Sequence, residues 1–85
     1  MTYQVVLGKT AKSDLRHLEA TWQRPVAKQL LTLTTDPRPS GVTKLRGVEN
    51  EWRIRVGDYR VIYEIDDEKR MVTVLRIRHR REVYR

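Results

Sequence analysis

Apolar and basic residues alternate with a period of two along the C-terminal half of this chain. In the run Trp52-Arg53-Ile54-Arg55-Val56, Trp52, Ile54 and Val56 fall on one face of a strand and Arg53 and Arg55 on the other. In the run from Tyr59 to Ile65, Tyr59, Val61, Tyr63 and Ile65 share a face, with Arg60 and Glu64 opposite. A third run, beginning near Met71, ends in Arg76-Ile77-Arg78-His79-Arg80-Arg81. Gly57-Asp58 is a two-residue link, so the first two runs read as an antiparallel hairpin. The polar stretch Asp66-Asp67-Glu68-Lys69-Arg70 turns the chain into the third.

The N-terminal half has a different period. Residues 3–7 (Tyr-Gln-Val-Val-Leu) read as a short strand. A helix then opens at Lys9 or Thr10, with Ala11, Leu15 and Leu18 at i, i+4 and i+7. Thr21 is the expected cap of a second helix, with Pro25 in its first turn. Its expected buried stripe is Trp22, Val26, Leu30 and Leu33, with Ala27 and Leu31 beside it. Pro37, Pro39 and Gly41 end that helix in a stiff loop. Val42 to Arg46 is a short strand or an extended lead-in. The expected fold is α+β: an N-terminal strand, a two-helix hairpin, then an antiparallel meander of three to four strands, in one domain spanning residues 1–85. The helices should cover the Trp52/Ile54/Tyr59/Val61/Tyr63 face and leave the arginine face to solvent.

Charge sharpens this picture. Eighteen Lys and Arg against eleven Asp and Glu give a formal net charge of +7 over 85 residues. Arginine matches phosphate oxygens in a bidentate fork, so arginines ordered on alternate strand positions favour a nucleic-acid partner. The chain has no cysteine, which excludes disulfides and thiolate metal sites. No apolar run is long enough to cross a membrane, and residues 1–4 lack the pattern of a secretory signal. A soluble, cytoplasmic protein is expected.

Four segments, in this order and spacing, resemble the RelE/ParE superfamily of toxins, on the RelE side: Lys44-Leu45-Arg46-Gly47, Trp52-Arg53-Ile54-Arg55, Gly57-Asp58-Tyr59-Arg60-Val61-Ile62-Tyr63, and His79-Arg80-Arg81-Glu82-Val83-Tyr84-Arg85. The resemblance implies a RelE-like fold and the toxin of a type II toxin–antitoxin module. The implied activity is metal-independent, ribosome-dependent cleavage of mRNA in the decoding site, with no cofactor. The implied partners are the ribosome and its message, an acidic RelB-like antitoxin, and operator DNA for the toxin–antitoxin complex. It also implies a catalytic set of Arg53, Arg55, Arg60, Arg80 and Tyr84. Lys44, Arg46, Arg78, Arg81 and Arg85 are the candidates for further RNA or ribosome contact. Two departures from the family pattern stand out. Arg78 occupies a position where relatives often carry glycine, so either Arg78 or Arg80 supplies the last catalytic arginine. Arg53 and Arg55 stand where some relatives have lysines, and arginine stays protonated, so neither can serve as a base.

Cleavage without a metal needs charge stabilisation at the phosphate, a proton acceptor for the 2′-OH and a proton donor for the leaving oxygen. The arginines can supply the first. His79 has strand parity opposite to Arg78 and Arg80, which directs it to the core side or the strand end. Glu64 reads as an ion-pair partner rather than a base. Tyr84 can stack on a base or move a proton. Trp22, Trp52, Tyr59 and Tyr63 belong to apolar stripes and read as packing residues. His17 reads as a surface histidine, and Lys9, Lys12 and Arg16 as a solvated face. Lys44 and Arg46 are expected beside Arg53. Two other readings stay open: a ParE-like poison of DNA gyrase, and a non-catalytic nucleic-acid-binding or co-repressor protein.

Overall fold

A computed structural model describes residues 2–45, 50–79 and 81. The elements in chain order are β1 (Gln4–Leu7), α1 (Lys9–Arg16), α2 (Ala20–Thr32), β2 (Thr43–Lys44), β3 (Glu51–Val56), β4 (Tyr59–Asp66) and β5 (Met71–His79). They form the expected α+β layer. The sheet has five strands in the order β1-β5-β4-β3-β2. Strands β2 to β5 are the antiparallel meander, and β1 joins its far edge parallel to β5. Among the described residues no helix is long and apolar enough to cross a membrane.

The alternating strands bury one face against both helices. Ala11, Leu18, Val26, Leu30 and Leu33 form one core with Ile54, Tyr59, Val61, Tyr63, Ile65, Val72, Val74 and Ile77. Helix α2 departs from its expected boundaries. It begins earlier, with Glu19 as N-cap, so Pro25 lies inside the helix rather than in its first turn. The proline lacks an N–H, so the Thr21 carbonyl has no i+4 donor there. The stripe is also narrower than expected: Val26, Leu30 and Leu33 are buried, but Ala27 is exposed and Leu31 is 69% exposed. The loop after α2 is tied down from several sides. The buried Tyr63 hydroxyl donates to the Pro37 carbonyl at 2.8 Å, and burial pushes that phenol up to about 12. Arg38 forks onto Asp67 at 2.9 and 3.2 Å, and the Tyr3 hydroxyl donates to the same carboxylate at 2.6 Å. The Arg38 guanidinium also lies 5.0 Å from the centre of the Trp52 ring.

The β3–β4 turn is as tight as the sequence implies. Gly57 has φ +58°, and Asp58 is not in the left-handed region, as in a two-residue turn with glycine first. The Trp22 ring lies directly against the glycine, where a β-carbon would stand.

Two outcomes are expected. Gly57→Ala should cost about 3 kcal/mol in denaturant unfolding, combining left-handed strain with overpacking, and Trp22→Leu should recover part of it; additive effects of the two substitutions would refute the contact. The second concerns pH. The hydrogen bonds from Arg38 and then Tyr3 hold the Asp67 carboxyl below its ordinary range. Its stabilisation is therefore present above the unfolded carboxylate value of about 3.9 and is lost as pH falls through the folded value. The Tm difference between wild type and Asp67→Asn should shrink below about pH 4, and a constant difference down to pH 2 would count against it.

Candidate functional site

The sheet face away from the helices carries the arginines. Register fixes where each one stands. Arg55 on β3 is directly opposite Arg60 on β4, and Arg60 is directly opposite Arg78 on β5. Side chains at directly opposed positions share a face, with β-carbons about 5 Å apart. Three guanidinium-bearing residues therefore stand in one row across three adjacent strands. The next row contains Arg53, Ile62 and Arg76, with Thr43 of β2 opposite Arg53. A third row, further from the β3–β4 turn, contains Glu51, Glu64 and Thr73. The free face is thus cationic towards the turn and acidic at the other end.

One extra residue makes the first row possible. Tyr63 pairs with Val74, but the preceding Ile62 pairs with Arg76, so Leu75 is inserted opposite a continuous β4. Before the bulge, even-numbered Val72 and Val74 face the core. After it, odd-numbered Ile77 and His79 do, opposite Val61 and Tyr59. An unbroken alternation would have placed Arg76 and Arg78 on the same side as Val72 and Val74.

The bulge is held by α1. The β1–β5 ladder ends where the Gly8 N–H donates to the Val74 carbonyl at 2.9 Å. Beyond that point Asp14 takes over from a strand partner. Its carboxylate accepts the Ile77 backbone N–H and the Arg76 Nε–H, both at 2.9 Å. No periodicity in the sequence singles out Asp14, because the contact spans 62 residues of chain.

Exposure along the cationic row is uneven. Arg55 is exposed, Arg78 and Arg53 are half-buried, and Arg60 is only 8% exposed. The expectation of an arginine face fully open to solvent therefore fails at its centre. Arg60 sits on the central strand with a long side chain directly across from it on each side, and alternation reports which way a residue points but not what flanks it. Lys44 also departs from expectation. It pairs with Trp52, and its ammonium group lies 6.0 Å from the centre of that ring. This puts it on the opposite face from Arg53, where Thr43 stands instead. Glu64 has Glu51 and Thr73 across from it, and the two ion pairs among the described residues are Arg38–Asp67 and Arg76–Asp14, so the ion-pair reading of Glu64 fails. Arg81 is helical and exposed. Arg46, Arg80, Tyr84 and Arg85 lie outside the described residues.

His79 points as its parity implies. It pairs with Tyr59 on the core side, and the two rings meet edge-to-face at 5.3 Å and 89°. His17 is exposed, with its Nδ1 2.7 Å from the Ser13 carbonyl. Among the described residues no group of three or more His, Asp or Glu side chains gathers as metal ligands would. The cationic row suits a group with several anionic oxygens, because guanidinium forks from neighbouring strands can share them.

Solved RelE structures share this fold. An archaeal RelE in complex with RelB from Pyrococcus horikoshii OT3 matches with a TM-score of 0.83 at 30% identity, over 94% of this chain and 97% of that one. The isolated RelE toxin of Escherichia coli matches with a TM-score of 0.80 at 30% identity, over 96% and 90%. Residues 5–84 match the family model described as the ParE toxin of the type II toxin–antitoxin system parDE. The toxin RelG of Mycobacterium tuberculosis is 34% identical over 86 residues, covering all of this chain and 99% of that protein. The mRNA interferase toxin RelE of E. coli K12 is 32% identical over 88 residues, covering 99% and 92%. The chain belongs to the RelE/ParE superfamily of toxins from type II toxin–antitoxin systems, on its RelE branch.

Asp14→Ala should destabilise the fold by about 2 kcal/mol, because it strands the Ile77 N–H just beyond the bulge. Hydrogen exchange should show the loss of protection concentrated at Arg76 to Arg78. A uniform loss over all five strands would mean that Asp14 does not act locally.

Proposed function

We propose that this toxin is a ribosome-dependent mRNA endonuclease that inhibits translation by cutting messages in the decoding site. The observation that carries this reading is the Arg55–Arg60–Arg78 row on the face not packed by helices. It is supported by the name of the E. coli relative, an mRNA interferase. In the reaction, the 2′-oxygen bonds to the adjacent phosphorus and the bond from phosphorus to the 5′-oxygen breaks. One proton leaves the 2′-hydroxyl and one reaches the departing 5′-oxygen. Negative charge grows on the phosphoryl oxygens, and fixed cations that face that charge lower the barrier.

Arg53, Arg55 and Arg60 are the proposed charge-stabilising residues. Arg78 or Arg80 completes them, and the position of Arg78 directly opposite Arg60 favours Arg78 as part of the clamp. Tyr84 is the proposed stacking or proton-transferring group. Arg81, Arg85, Arg46 and Lys44 contribute wider RNA or ribosome contact, with Lys44 acting from the Trp52 side. A set rich in arginine binds and stabilises charge but accepts protons poorly. Orientation of the message by the ribosome then supplies much of the remaining acceleration. The cognate partner is a RelB-type antitoxin, as in the solved complexes of relatives, and the complex of the two binds operator DNA. The site of action is the cytoplasm.

The description of the matching family as a ParE toxin favours a second reading, in which the target is DNA gyrase. One preparation distinguishes the two. Primer extension on ribosome-bound message should show cuts that Arg55→Ala weakens by about 10²–10³-fold, the loss typical of removing one preorganised charge-stabilising donor. Arg55 is exposed, so the variant should keep the wild-type Tm. Inhibition of supercoiling without message cleavage would establish the gyrase reading, and rapid cutting of free RNA would refute ribosome dependence.

A further inference from the structure

We propose that His79 is a positioning residue for the cleavage reaction, holding the Arg81 amide at the end of β5. This rests on the mRNA-cleavage reading given above. The Nδ1 of His79 accepts the backbone N–H of Arg81 at 3.2 Å. The acceptor is a side chain two residues back in the chain, at the end of β5, and Arg81 itself is helical and exposed. The residue between the two bonded groups is Arg80, one of the two candidates for the last arginine of the catalytic set. The bond closes a short ring of backbone and side chain from His79 to Arg81.

The His79 ring is itself anchored. The His79 ring meets Tyr59 edge-to-face, Tyr59 lies 5.8 Å from Trp22, and Trp22 rests on Gly57. Helix α2, the β3–β4 turn and the end of β5 are joined through this aromatic series. It lies on the core face of the strands that carry Arg55, Arg60 and Arg78 on the other side. The Arg81 amide is therefore referenced to the same turn that sets the arginine row. The geometry also separates this role from that of a catalytic base. The ring occupies the face opposite Arg60 and Arg78, and its Nδ1 is engaged by a backbone donor.

Three variants test the assignment in the full-length protein. Asparagine offers a side-chain acceptor at the same distance from the backbone as Nδ1. Phenylalanine keeps the ring contact with Tyr59 but accepts nothing. Glutamine carries its acceptor one bond too far out. His79→Phe and His79→Gln should lower the single-turnover cleavage rate on ribosomes by about 10²-fold, as a small misplacement of reacting groups does. The ribosome concentration for half-maximal rate should be unchanged. His79→Asn should recover most of the rate with an unaltered pH profile. Hydrogen exchange at the Arg81 amide should be protected in wild type and His79→Asn, and unprotected in the other two.

Wild-type rates in both His79→Phe and His79→Gln would overturn the inference alone. So would a His79→Asn variant as slow as the others with one limb of the pH–rate profile missing, which would make His79 a proton carrier. Protection at Arg81 as expected, in a wild-type protein that cuts no message, would instead overturn the reading on which the inference rests.

Discussion

A single inserted residue decides which chemistry this sheet can present. Leu75 has no partner of its own on β4, and the half-turn of register it adds moves every later residue of β5 to the other face. Val72 and Val74 stay in the core, and Arg76 and Arg78 go to the free side. Without the insertion, Arg78 would point into apolar packing and the row across β3, β4 and β5 would hold two arginines. Burying an uncompensated guanidinium is too costly for a small domain to absorb. The bulge is thus a condition of the fold as well as of the site, and Asp14 on the neighbouring helix accepts the Ile77 N–H just beyond it.

The two faces of the central strands depend on one another. Like charges placed directly across a sheet repel, so the row of Arg55, Arg60 and Arg78 weakens the pairing that holds it. Val56, Ile54 and Val61 on the other side, with Tyr59 and Ile77, supply the apolar burial that offsets this. The turn at Gly57 keeps β3 and β4 in the register that lines the arginines up, and Trp22 closes over it. Apolar packing of the helices is therefore what keeps the cationic face preorganised, and preorganised charge is what stabilises a developing anion.

Much of this was legible in the sequence, and the limits have physical causes. Period-two alternation identified the faces of β3 and β4, because both strands run without interruption from turn to turn. The parity of the last run also put Arg78 on the arginine side and His79 on the core side. Alternation could not report that the row is continuous across β5, since the bulge lies upstream in the same strand and shows no glycine or proline to mark it. It reported the direction of Arg60 but not its burial, which depends on what stands beside it on two neighbouring strands. Lys44 was misplaced because a two-residue strand is too short to carry parity of its own, and its pairing with Trp52 is set by a loop tied down through Arg38 and Asp67. The boundary of α2 shifted because Pro25 suits a first turn locally, whereas burial of Val26, Leu30 and Leu33 favoured a helix that starts earlier and tolerates the missing hydrogen bond.

The presence of arginine rather than lysine at positions 53 and 55 has a consequence for how such a site can work. Lysine can lose a proton when surrounding cations lower its pKa, and could then accept one from a hydroxyl. Arginine cannot at any physiological pH. In exchange, each arginine offers a planar fork of donors, so Arg55 and Arg60 facing each other across β3 and β4 can share the oxygens of one phosphate. On the proposed function this shifts the work of the protein towards gripping and polarising the phosphate and away from moving protons. The core-side orientation of His79 points the same way, since it removes the one described imidazole near the row from proton transfer. A toxin built like this would be nearly inert towards free RNA, because charge stabilisation alone does not bring the 2′-oxygen into line with the bond to be broken. Its dependence on an external template would then follow from its side-chain chemistry, and would not require a separate device to restrain it.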